Sequence, residues 1–249
     1  MSTAAAIAVA RTTPVSRAIL RSRRWAVVGA NETHWSKKDG ASPQLGALRG
    51  IGVISTFARN ETIFNEGDRM EYSYKVVSGA VRLCKVLPDG RRQIADFFLP
   101  GDFFALGGIS EHAFTAEAVN ETAVICFPRR RIERLCDEAP EIRKDLLSRL
   151  YSDLSAARNH LVMLGRQSAK ERVAAFLLLL ASRVEASDGD NIELPMGRLD
   201  IADYLGLTIE TVCRALSDLK RSKLITMPST HQVVLNNLKA LQALMDDDT

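Results

Sequence analysis

Cysteine is scarce in this chain and never clustered: Cys84, Cys126, Cys136 and Cys213 are the four present among 249 residues, and no two stand at a CxxC or other metal-ligand spacing. That pattern excludes a zinc ribbon and a thiol–disulfide redox motif, and it predicts free thiols in a reducing, cytoplasmic setting. Long apolar runs are missing too. None reaches the ~18 residues a membrane span needs, and the longest, from Val173 to Ala181, is about half that length and reads as a buried helix. No paired carboxylates, Ser/His/Asp set or phosphate-cradling P-loop stands out, which argues against an enzyme. Charge of one sign is not in excess either: 33 basic side chains against 30 acidic leave +3, weak guidance to partners.

What is present is patterned. In the stretch from Arg198 to Lys223, RLDIADYLGLTIETVCRALSDLKRSK, two short runs of helical periodicity flank Tyr204-Leu205-Gly206-Leu207-Thr208. Leu199, Ala202 and Leu205 mark the apolar face of the first run, and Val212, Ala215, Leu216 and Leu219 that of the second. Gly206 supplies the left-handed end of one helix and Thr208 caps the next, which predicts a helix-turn-helix. Glu210, Cys213, Arg214, Ser217 and Arg221 recur on the opposite face. Arg donates two bonds to guanine O6 and N7 and Glu accepts from cytosine N4, so such a face can read adjacent bases of double-stranded DNA. Thr208, Thr211 and Lys223 complete the expected DNA contacts. A solvated amphipathic helix is the competing reading. The turn, the cap and a local excess of Arg214, Lys220, Arg221 and Lys223 over Glu210 and Asp218 favour DNA.

Around this element the chain divides by composition. Residues 1–44 are Ala-, Ser- and Arg-rich, with no acid before Glu32, and read as a disordered extension that Trp25 and Trp35 could dock. Residues 45–137 read as an antiparallel β-jelly-roll: short Val-, Ile- and Phe-rich runs are punctuated by Glu66-Gly67-Asp68, Ser78-Gly79, Pro88-Asp89-Gly90 and Pro100-Gly101-Asp102. Residues 138–165 predict a long helix opened by Pro140 and ended by Gly165, a candidate hinge. Its seam of Ile142, Leu146, Leu150, Leu154, Ala157, Leu161 and Leu164 suggests a homodimer, with Leu147 and Tyr151 left to meet the β-domain. Residues 166–240 predict a winged helix-turn-helix, its hairpin crossing Pro228-Ser229-Thr230-His231, and residues 241–249 a frayed acidic tail. The fold class is therefore α+β: an N-terminal cyclic-nucleotide-binding-like jelly roll, a long dimerisation helix and a C-terminal winged helix-turn-helix.

That order resembles the Crp–Fnr family of bacterial transcription regulators over about residues 45 to 240. Gly67, Gly79, Gly90 and Gly101 fall where the family turns its roll. Leu99 to Phe103 look like the start of its phosphate cassette, and Ala169-Lys170-Glu171-Arg172-Val173-Ala174 like the start of its DNA-binding domain. The resemblance implies a palindromic DNA site and RNA polymerase as partner. Cyclic-AMP receptors of the family hold ribose and phosphate with a Gly-Glu and an Arg-Ser pair; here Ala105-Leu106 and Phe114-Thr115 look like the corresponding positions. An anionic nucleotide would lack its counter-charge, so no cofactor is expected. An Fnr-type iron–sulfur cluster lacks its N-terminal cysteines, and His112, the one histidine of the roll, reads as an exposed loop residue rather than a haem ligand. Glu210-Thr211-Val212-Cys213-Arg214 is similar to the Glu-x-x-Ser-Arg of the Fnr/FixK branch. This implies a FixK-like activator in a low-oxygen response, binding a TTG-containing inverted repeat. A Crp-like regulator that needs an unidentified effector in the roll is the alternative.

Cys213 stands where that branch has serine. About one turn into a helix and beside Arg214, it sits under two influences that favour thiolate, so oxidation is expected to place negative charge against DNA phosphate. The plainer reading is a serine-sized contact. Cys84, Cys126 and Cys136 read as small core hydrophobes.

Overall fold

The computed structural model describes residues 26–27, 48, 51–106, 110–183 and 191–246. Nine strands form two antiparallel sheets. One runs β1 (Ala26–Val27), β2 (Val53–Phe57), β9 (Thr122–Pro128), β4 (Tyr72–Ser78), β7 (Phe103–Phe104); the other runs β3 (Thr62–Phe64), β8 (Thr115–Ala118), β5 (Val81–Val86), β6 (Arg92–Phe98). This is the expected roll. Apolar residues alternate inward along the strands, and Val76, Val81, Phe104, Ala116, Val124 and Cys126 meet between the sheets. The β5–β6 hairpin closes with Val86 opposite Arg92, and the Asp89 carboxylate accepts the Arg91 N–H at 3.0 Å to fix the turn. Gly79 turns β4 into β5 at φ +77°, where a Cβ would lie 2.4 Å from the Glu121 carbonyl oxygen.

Part of the extension read as disordered is ordered. Ala26 and Val27 pair with Ile54 and Val53, continuing the sheet at the edge that β2 leaves open. Trp25, Trp35 and the rest of that extension lie outside the described residues; Leu48, just beyond it, is buried against Phe103, Ile125, Phe127 and Ile132.

Helix α1 (Arg129–Glu138) leads into α2 (Pro140–Arg166), which at 27 residues spans about 40 Å. Gly165 does not end α2; it lies in its last turn, and the chain breaks at Gln167 (φ −84°, ψ 145°). Ser168 then opens α3 (Ala169–Arg183) with a reciprocal cap: its N–H donates to Glu171 at 3.0 Å and its hydroxyl accepts the Glu171 N–H at 3.4 Å. Arg172 ties this junction together. Its guanidinium donates to the carbonyls of Leu164 (2.8 Å), Gln167 (2.9 Å) and Leu205 (3.1 Å), satisfying acceptors that helix ends leave orphaned.

The seam expected on α2 is divided. Ile142 is 2% exposed and packs with Leu146 on the chain's own roll, so these two are not available to a second copy. Leu164 packs on the C-terminal core and Leu150 is half-buried. Leu154, Ala157 and Leu161 are exposed, and so are Leu147 and Tyr151, which were assigned to the β-domain. The physical reason is that two neighbouring rows share the helical period, and Phe127 and Ile132 of the roll take the row that carries Ile142.

The C-terminal part contains α4 (Arg198–Leu205), α5 (Ile209–Arg221) and a three-stranded wing sheet ordered β10 (Asn191–Glu193), β12 (Gln232–Leu235), β11 (Ile225–Ser229). A further helix, α6 (Leu238–Asp246), replaces much of the expected frayed tail. It packs on α3 through Leu241, which is buried; residues 247–249 lie outside the described residues. The core beneath these helices is continuous with the roll: Ile94, Phe97, Leu99 and Val119 join one cluster with Phe176, Leu177, Ile201 and Leu205.

Candidate nucleic-acid interface

Helix α4 stops at Gly206, which adopts φ 63°, ψ 39°, and the Leu207 N–H returns to the Ala202 carbonyl at 3.0 Å. The buried face of α4 carries Ile201, Ala202, Tyr204 and Leu205; Leu199, expected there, is 52% exposed. Thr208 is the N-cap of α5 and accepts the Thr211 N–H at 3.2 Å. Val212, Ala215, Leu216 and Leu219 are buried below α5, and the burial of this row aims the opposite row outward.

The structure brings the residues read as DNA contacts onto one exposed surface. Thr208, Glu210, Cys213, Arg214, Ser217, Arg221 and Lys223 are exposed and Thr211 is half-buried. Hydrogen bonds from its own backbone N–H and from the Thr208 hydroxyl hold the Glu210 carboxyl below its usual range, which keeps it an acceptor. The Ser217 hydroxyl donates to the Cys213 carbonyl at 2.8 Å, so toward a ligand it can only accept. Arg221 shares its charge with Asp218 at 3.1 Å, one turn back on the same exposed helix. Lys223 follows α5 with φ 57°, and its carbonyl accepts from Asn236 at 3.1 Å, tying the end of α5 to the segment behind the wing.

A groove of about 430 Å³ runs between α5 and the wing, lined among others by Arg198, Cys213, Ser217, Lys220, Ser229 and Thr230. The sequence reading did not assign Arg198, Ser229 or Thr230 to the interface, and it counted Lys220 only in the local basic excess. Arg198 had a signal: a cation in the first turn of a helix opposes the macrodipole unless an anion is to face it. Burial lowers its pKa, the neighbouring Cys213 acts in the other sense, and its Nη1 has no hydrogen-bond partner among the described residues.

Comparison with known proteins agrees with this architecture. Residues 54–139 match the cyclic nucleotide-binding domain and residues 171–244 the Crp-like helix-turn-helix domain. The nitrogen fixation regulation protein FixK of Azorhizobium caulinodans is 43% identical over 197 residues, 78% of this chain and 79% of that one. The chain belongs to the Crp–Fnr family. FixK of Bradyrhizobium diazoefficiens is 45% identical over 72% of this chain and 76% of its own. The structure of FixK2 from Bradyrhizobium japonicum superposes with a TM-score of 0.75 at 40% identity, covering 78% of this chain and 97% of that one. As a member of this family the chain is a DNA-binding transcription regulator and not an enzyme.

The interior of the Crp–Fnr roll is lined with aromatic rings. Phe64, Tyr74, Phe98, Phe104 and His112 form one ring stack, with centroid distances of 5.5 Å for Phe64–Tyr74, 5.0 Å for Tyr74–Phe104, 5.1 Å for Phe98–Phe104 and 3.6 Å for Phe64–His112. A cavity of about 30 Å³ remains beside the stack, room for one water. His112 is not the exposed loop residue the sequence suggested. It is 5% exposed, and burial lowers its pKa to about 4. Ala105 adopts φ 57°, and its carbonyl accepts the Ser73 hydroxyl at 3.0 Å; the Thr115 hydroxyl oxygen accepts the Glu66 N–H at 3.0 Å. Thr115 thus uses one acceptor of its hydroxyl on the roll's own backbone.

Outside the roll, a groove of about 480 Å³ between β6, β7, α2 and α3 carries Asp96, Asp102, Asp145 and Asp153 against Arg149 and Arg183. Burial raises Asp96 to about 6. An acidic groove has the wrong sign for a cyclic phosphate. Cys84 and Cys126 are buried, Cys136 is half-buried, and burial pushes Cys84 up to about 11, away from thiolate. Among the described residues no helix is long and apolar enough to cross a membrane.

Proposed function

We propose that this Crp–Fnr regulator is a FixK-like transcription activator. It binds a TTG-containing inverted repeat as a homodimer, contacts RNA polymerase there, uses neither cyclic nucleotide nor iron–sulfur cluster, and serves a low-oxygen response. The observation that carries the reading is the α5 surface, where Glu210 and Arg214 stand exposed four residues apart on either side of Cys213. The filled roll, its cavity of about 30 Å³ and the acidic groove support independence from a nucleotide. The exposed row Leu147, Tyr151, Leu154 and Leu161 on α2, with Ala157 beside it, supports a dimer face there.

Selection of DNA by the purified protein from a random pool, with no ligand added, tests the reading. An inverted repeat containing TTG is expected, and failure to select any sequence refutes ligand-free recognition. Arg214→Ala removes a two-bond base contact, worth about 1–3 kcal/mol at one base pair of each half-site. If the selected sequence is unchanged by that substitution, Arg214 does not read bases.

Cys213 is the control point of this reading. It is exposed on the groove beside Arg198. Peroxide converts its thiolate to the sulfenic acid with release of hydroxide, and a second equivalent gives sulfinate, water and a proton, leaving a fixed negative charge where DNA phosphate must lie. Peroxide is expected to abolish DNA binding of the wild type and to spare Cys213→Ser; equal loss in both sinks the idea.

A further inference from the structure

The buried ion cluster that joins roll to reading domain has no part in the roles assigned so far. Arg82 on β5 is 6% exposed, and each of its three guanidinium nitrogens has an acceptor. Its Nη1 donates to both oxygens of Asp200 at 3.2 Å. Its Nε and Nη2 donate to Glu117 at 2.9 and 2.7 Å, and Nη2 also reaches Asn60 at 3.1 Å. Arg92, on the facing strand β6, donates to Asp203 at 2.8 Å and to Asp200 at 2.5 Å. Asp200 and Asp203 lie three residues apart on α4, so they share a face and repel one another unless cations stand between them. Apolar contacts continue the junction: the Phe97 ring of β6 lies 5.4 Å from Tyr204 of α4, which also packs on Phe176.

This contact grips α4 through Asp200 and Asp203 and leaves the polar row of α5 uncovered. With it in place, Glu210, Cys213, Arg214 and Ser217 of α5 stay exposed. A dock that covered them would be inhibitory; one that leaves them free and fixes the helix before them orients them. Buried charges of this kind are costly in free energy, and orientation is what they can supply in return.

We propose that Arg82 and Arg92 are positioning residues for DNA recognition, and that the β5–β6 hairpin docked on α4 holds α5 in its DNA-competent orientation in place of a bound effector. The inference rests on the DNA-reading function above. Removing Arg92 leaves one guanidinium to face three carboxylates, Glu117, Asp200 and Asp203. The hairpin then releases α4, while α4 itself persists because Asp200 lies in its first turn and suits the helix dipole. Apparent affinity falls with the competent fraction of molecules.

The test compares full-length wild type, Arg92→Gln, Asp203→Asn and the reciprocal double variant Arg92→Asp with Asp203→Arg. Affinity for the selected site is measured without ligand, and amide exchange is followed across α4. Both single variants are expected to lose about tenfold or more in affinity as the competent fraction drops. Their Arg198–Leu205 amides should exchange faster, and the double variant should recover both properties. Asp203→Asn carries the test if Arg92→Gln does not fold. Unchanged affinity in the single variants, or a loss that the reciprocal pair does not recover, overturns the proposal. A wild type that selects no DNA refutes the DNA-reading function itself, whatever the exchange data show.

Discussion

The inside of the roll and the outer face of α5 are built in opposite ways. In the roll, Phe64, Tyr74, Phe98, Phe104 and His112 stack until about 30 Å³ remains, and Thr115 is bound to the chain's own backbone. On α5 the polar row is uncovered, and it borders a groove of about 430 Å³ with a free thiol in it. One surface is turned inward and filled with rings; the other offers its chemistry to whatever approaches. The difference supports the proposal that control of this regulator belongs to its output surface and to the junction behind it.

The comparison breaks if damage to the roll changes what α5 reads. Phe104→Ala removes a ring that is 3% exposed and stacked on Tyr74 and Phe98, and it is expected to cost about 3–5 kcal/mol of stability. Urea unfolding measures that loss. The selected DNA sequence should remain the same, and a changed sequence would show the roll interior to be part of recognition.

A gentler probe uses the buried imidazole. His112 titrates near 6.5 in the unfolded chain and at about 4 in the fold, so the unfolded state binds more protons between those values. The stability that the neutral ring supplies is complete above pH 6.5 and is lost as pH falls toward 4, at most about 3 kcal/mol for a shift of this size. His112→Phe keeps the stack on Phe64 and should flatten this acid limb in thermal unfolding from pH 7 to pH 4. The smallest effect belongs to the reading side. Thr208→Ala removes the α5 cap for about 1 kcal/mol, read as faster exchange of the Thr211 amide.

Local chemistry was legible in the chain. Gly206, Thr208 and the Pro88-Asp89-Gly90 turn act through neighbours, and a few residues of context suffice to read them. The helix-turn-helix, the wing and the roll followed from such signals. Facing was less legible: the rows through Ile142 and Leu147 on α2 share one period, and the choice between them is made by Phe127 and Ile132 across the fold. Long-range pairing was not legible at all. Arg82 and Asp200 are 118 residues apart, and no spacing rule relates a strand arginine to a helix aspartate. Helix α6 was hidden because the run Asp246-Asp247-Asp248 drew the eye from Leu241, whose burial needs α3 to be in place.

Ala105 sets backbone shape against side-chain chemistry. Its φ of 57° is a conformation that alanine adopts at a cost and glycine adopts freely. It occupies the position that resembles the glycine of the nucleotide-holding pair. The loop thus bends with alanine as glycine would bend it freely, and backbone form alone is a poor witness to what a roll of this kind binds.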